Sequence, residues 1–158
     1  MQELEHLGVT YQLNRIPVFD DRMLWLESDK LCVVDLRDDD AHVLSTLLRW
    51  TEREAKRHLT ERVRILTEVT GWDVHKVSFR RQTTIWGSCS SKKHLSLNLE
   101  LVKLDPAVID YVIIHELAHT VELNHSRAFW NLVAMHCPDY PVKKAALRAF
   151  ERKRLTKR

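Results

Sequence analysis

The chain has 158 residues, 44% hydrophobic and 30% charged, with only three glycines and four prolines. That length can bury a working core without staples, and so little Gly and Pro excludes a linker or a low-complexity tract. A net charge of +3 is too small to announce a nucleic-acid binder, three cysteines without paired spacing exclude a disulfide framework, and no run reaches the roughly 20 apolar residues of a membrane span. The start of the chain shows no apolar stretch of signal-peptide length. The expectation is one cytoplasmic, monomeric domain over 1–158, with a β portion at 1–37 and a helical core at 38–158.

In chain order, VTYQLNRI (9–16), MLWLES (23–28) and KLCVVDLR (30–37) alternate imperfectly, with turn-prone PVFDD and SDK between them. A small antiparallel meander is predicted. From 40 to 70, Leu44, Leu47, Leu48, Ala55, Leu59, Val63 and Leu66 recur at helical spacing, behind an Asp cluster and ahead of Gly71. This predicts a long amphipathic helix with at most one break, capped by Asp and stopped by a left-handed glycine.

Residues 74–82 and 94–101 read as strands joined through TTIWGSCSSKK. In the second, Leu95, Leu97 and Leu99 share one face, while Ser96, Asn98 and Glu100 leave the other polar and available. Asp105 then offers an N-cap and Pro106 the first helical position of a helix predicted to run to about Glu122. Further helices are predicted from Ser126 to about His136, stopped by Pro138, and from about Pro141 onward. The last stretch carries Lys143, Lys144, Arg148, Arg152, Lys153, Arg154, Lys157 and Arg158 against Glu151 alone. It reads as a solvated helix whose cations suit its own C-terminal dipole, or as a seat for nucleic acid or another polyanion.

Chemistry concentrates in VIIHELAHTVELNHSRAFW, residues 112–130. His115 and His119 are four residues apart, so on a helix both imidazoles reach one metal ion, and Glu116 can present its carboxylate to a water there. Ile109, Ile113, Leu117 and Val121 give the same helix a buried back. The plainer alternative is a packed helix whose histidines are only hydrogen-bonded. His125 argues for a site, but on a continuing helix it would point some 240° away. The helix must therefore end between 122 and 124, with Asn124 suited to a left-handed stop, and the chain must bend back. Three neutral imidazoles with one open position are the ligand set of a catalytic Zn2+ rather than a structural one. Glu122 is a candidate support for a ligand imidazole, or an exposed helix-end carboxylate. A rival metal pair, Cys89 with His94, has no supporting spacing.

WGSC at 86–89, LSLNLEL at 95–101, IDYVIIHELAHTVELNHSRAFW at 109–130 and PDYP at 138–141, in this order, resemble the YgjP-like metallopeptidase domain, which is related to the SprT and WLM zincins. The resemblance implies an α+β, zincin-like fold: a small antiparallel or mixed sheet packed on a long helix and on the HExxH helix. It also implies Zn2+ on His115, His119 and His125, with Glu116 as catalytic base. Glu122 stands where the metzincin pattern has glycine, and Met135 falls in a helical context unlike a Met-turn, which favours the minimal family. By the same resemblance WGSC lies beside the cleft, ahead of the strand forming its rim, so Trp86, Ser88 and Asn98 are candidate rim residues. Core packing is the alternative for Trp86 and Cys89.

The function so implied is a zinc metallopeptidase acting on polypeptides; Tyr140 and Arg81 are candidate transition-state stabilisers on their placement alone. Two alternatives remain at this point. One is a zinc-dependent nucleotide pyrophosphatase, since the same activated water attacks phosphorus, although no Gly-rich phosphate loop is present. The other is a latent zinc-binding interaction module recruited through its basic end.

Overall fold

The computed structural model describes residues 3–20, 23–36 and 38–156. Asp21, Arg37, Lys157 and Arg158, which figure in the turn, strand and basic stretches above, lie outside the described residues. The first sheet has the order β1 (Glu3–His6), β2 (Val9–Ile16), β4 (Lys30–Val34), β3 (Leu24–Glu27). Strands β2 and β4 run parallel and the outer pairs antiparallel, so the predicted meander is corrected to a mixed sheet. The reason lies in KLCVV. Leu31, Cys32, Val33 and Val34 are all buried, and such a continuous apolar run takes a central place, sending the more polar β3 to the edge. Strand β1 escapes the alternation pattern because its hairpin turn is made by Leu7 and Gly8, both at positive φ (51° and 76°), without the usual Asn-Gly signal.

Helix α1 (Asp40–Thr70) is unbroken. Asp39 accepts from the N–H groups of Ala41 and His42, and Gly71 ends the helix in the left-handed region at φ 70°. Its first half presents Val43, Leu47 and Trp50 to the first sheet, where they pack with Leu24, Leu31 and Val33. Leu44 and Leu48, predicted to be inward, stay exposed because that stripe aims past them. Its second half gives Ala55, Leu59, Val63 and Leu66 to the larger core. A bidentate pair, Arg62 to Asp110 at 2.8 Å on each arm, ties α1 to the next helix.

The second sheet has the order β5 (Lys76–Arg80), β7 (His94–Asn98), β6 (Gly87–Cys89), with β5 and β7 parallel and β6 antiparallel to β7. A 3₁₀ helix over Leu99–Lys103 follows. Helices α2 (Pro106–Ala118), α3 (Arg127–His136) and α4 (Tyr140–Thr156) complete the mixed α+β architecture. Asp105 caps α2 as predicted, accepting from Ala107 N–H. Helix α2 is apolar nearly all round, with Ile109, Ile113, Leu117 and Ala118 wholly enclosed, which is the signature of a helix inside the core. No described helix is long and apolar enough to cross a membrane.

Candidate active site

Helix α2 ends at Ala118, before the limit the sequence predicts. The N–H groups of Thr120, Val121 and Glu122 fold back onto the carbonyls of Leu117, Ala118 and Ala118 at 2.9, 3.0 and 2.9 Å. Asn124 does not take the left-handed conformation, because the bend has already been made by this tighter turn. Val121 consequently leaves the buried stripe and is 57% exposed, while Ile109, Ile113 and Leu117 keep it. Ser126 then caps α3 by accepting from Phe129 N–H, which fixes where His125 arrives.

The outcome is convergence. Ligand-capable atoms of His115, His119 and His125 lie within 4.8 Å of one another. The Nε2 atoms of His115 and His125 stand 3.0 Å apart. The Nδ1–H of His119 donates to the Glu122 carbonyl at 3.0 Å, which leaves its Nε2 lone pair free. Phe129, fully buried, floors the cluster: its ring centroid is 4.9, 4.5 and 4.8 Å from those of His115, His119 and His125. Burial, then the neighbouring imidazoles, lower the pKa of His115 to about 4. His125 is lowered too, first by burial and then by His119 and Lys144. At 3.0 Å the facing nitrogens of His115 and His125 can share one N–H, while the buried Nδ1 of His115 has no partner; a cation that takes a lone pair from each ring can replace that shared proton. The three histidines fit a metal ion.

Glu116 points to the second sheet. Gly87 of β6 packs so closely that a Cβ there would stand 2.7 Å from Glu116 Cγ and 3.1 Å from Cδ. The carboxyl is buried, and burial alone raises its pKa to about 7. Cys89, two residues on, has its thiol pushed up by burial and then by Glu116. Cys89 and His94 join no group of three metal-capable side chains among the described residues, so the rival pair is not assembled.

The remaining candidates separate. Asn98 is corrected: it is 1% exposed and cannot touch a ligand. Its Nδ2 donates to the carbonyls of Gln82 and Ile85 at 2.7 and 2.8 Å, and its Oδ1 accepts from Glu100 N–H. It pins the loop that leads into β6. The rim is corrected with it, because β7 is central and, of the two edge strands, it is β6 that lies against Glu116, with Ser88 exposed on it. Trp86 packs as the alternative reading had it, its Nε1–H donating to Glu151 at 2.8 Å and its ring against Phe150. Arg81 is not brought to the histidines. It pairs with Glu100 at 3.0 Å and lines a hollow with Leu44, Leu48 and Thr51. Glu122 supports His119 through its backbone carbonyl, while its carboxylate accepts from Asn124 N–H. Tyr140 stacks on Trp130 at 5.1 Å, and Trp130 in turn lies 5.6 Å from His115. Of the basic stretch, Lys143 pairs with Asp139 and Arg154 donates to the Thr83 carbonyl.

Gly87, Phe129 and Trp130 are the site residues that sequence reasoning passed over singly. For the aromatics the signal was their place as third and fourth residues of a helix beginning just after the third histidine; Gly87 gave none, since its short strand reads as part of a connection. Among curated proteins nothing matches the chain. The crystal structure of the metallopeptidase zymogen of Pyrococcus abyssi abylysin is similar over 48% of this chain and 76% of that one, at 24% identity and a TM-score of 0.44. The model of the YgjP-like metallopeptidase domain matches residues 2–150, both sheets and the helices through most of α4, and the chain therefore belongs to that family of metallopeptidases.

Proposed function

We propose that the chain is a zinc-dependent peptidase in a single domain, with His115, His119 and His125 holding the ion and Glu116 acting as the base. The observation that carries this reading is the Glu116 carboxyl, kept dry against Gly87 on the residue next to the first of three convergent imidazoles. When bound, Zn2+ supplies Lewis acidity, polarising a carbonyl and acidifying water toward a pKa of ~7.

The chain supplies the rest. An acid whose pKa stands near 7 is matched to taking a proton from water at its carboxylate oxygen and giving it back to a leaving amine nitrogen. The Glu122 carbonyl fixes the His119 tautomer, so that the nitrogen facing the cluster carries a lone pair. The open side of β6 has unpaired backbone groups beside Glu116, and an extended peptide can pair with them whatever its side chains. Tyr140, stacked on Trp130, remains the candidate donor to the developing oxyanion.

The test compares zinc-loaded wild type with Glu116→Gln on a mixed peptide pool and on a nucleotide panel. Gln is not expected to displace the metal, so the variant should keep its zinc and lose about 10²- to 10⁴-fold in peptide turnover. Equal activity in both would refute the base. Phosphate release without peptide cleavage would transfer the site to phosphoanhydride hydrolysis.

A further inference from the structure

We infer that Lys144, laid over the Trp130 indole beside the histidine cluster, is the seat for a carboxylate of the substrate. The inference rests on the peptidase reading above and adds to it a substrate class. Lys144 Nζ stands 4.3 Å from the Trp130 ring centroid, and that ring stands 5.6 Å from the His115 ring and 6.0 Å from the His125 ring. The ammonium is thus one indole away from two members of the cluster.

Its position is built rather than incidental. Tyr140 and Lys144 are one turn apart on α4, so they share a stripe, and both meet Trp130. The ring holds the cation through its π face without neutralising it, so the full charge is left for another partner. Lys143, the neighbour in sequence, is spent on Asp139 at 3.2 Å, whereas no carboxylate pairs with Lys144 among the described residues. The acids nearby are otherwise engaged. Glu116 is buried against Gly87, and Glu122 accepts from Asn124 N–H. Substrates carrying a negative group near the scissile bond are therefore preferred.

A carboxylate can come from an Asp or Glu side chain or from the chain terminus of the peptide. Zinc-loaded wild type, Lys144→Met, Lys144→Gln and Lys144→Arg are assayed on matched peptides, Glu against Gln beside the cleaved bond and free against amidated C-terminus. Wild type should favour the carboxylate member by about tenfold in kcat/KM, mostly through KM. That ratio should collapse toward one in Lys144→Met and Lys144→Gln, survive in Lys144→Arg, and shrink with added salt. Whichever pair shows it names the source. No preference in wild type, or a preference untouched in both neutral variants, overturns the seat. Calorimetric binding of the same peptides to zinc-loaded Glu116→Gln, with and without Lys144→Met, separates the two readings. A Lys144-dependent tenfold difference in Kd without any turnover in wild type keeps the seat and removes the peptidase. Equal Kd values beside good turnover do the reverse.

Discussion

Gly87 sets the position of a carboxyl that belongs to another element. Adding one carbon there places it 2.7 Å from Glu116 Cγ, so Glu116 or the strand must move. Gly87→Ala should leave the metal content unchanged and cost about 10²-fold in kcat, the usual price of displacing a reacting group by ~1 Å; near wild-type turnover would show that the cleft gives way without consequence. Protonation adds a second prediction, made for the metal-free protein. Glu116 is raised from 4.5 to about 7, so the folded state resists its ionisation and loses stability as pH rises through that window. His115 is lowered from 6.5 to about 4, so stability is lost as pH falls through that one. Between pH 4.5 and 6.5 the two slopes oppose each other in wild type. In Glu116→Gln only the histidine slope remains, and above pH 7 the variant should exceed wild type by roughly 3 kcal/mol. Urea unfolding of both proteins across this range checks it, and parallel curves would contradict it.

At the scale of elements, the loop over residues 81–86 hangs on one side chain. Asn98→Ala would strip two carbonyls and one N–H of their buried partner, a loss of about 3 kcal/mol. Because that loop feeds β6, turnover should fall more than stability alone explains; a variant as stable as wild type would show that water replaces the amide. The same residue marks where sequence reading reached its limit. Asn98 on an alternating strand looks solvent-facing, and only the path of a loop 13 to 16 residues earlier turns it inward. Features settled within a few residues were legible: the Asp39 cap and Gly71 stop of α1, the Asp105 start of α2, and the one-turn spacing of His115 and His119. The return of His125 was legible as a necessity, though the turn that makes it lies earlier than predicted. Strand order was not legible, because parallel pairing of β2 with β4 and the central place of β7 depend on partners distant in sequence.

For the whole molecule, α1 is the common member of both cores, its first half under the N-terminal sheet and its second half under α2. The three proposed ligands belong to the part built on the larger core, on α2, at its end and just ahead of α3. At free zinc 100-fold above its Kd, wild type should gain up to about 2.7 kcal/mol in unfolding free energy, and His125→Ala distinctly less. Thermal melts with and without chelator measure the difference, and an equal gain in both would remove His125 from the ligand set. The gain should fall short of that figure for a reason held in the spacing of the cluster. All three imidazoles lie within residues 115–125, so bringing them together closes only short loops of chain, at small entropic cost and on the fast scale of local loop closure. If the three histidines hold zinc as proposed, the denatured polypeptide should keep some affinity for the same ion, and refolding in its presence should begin with this bend drawn shut.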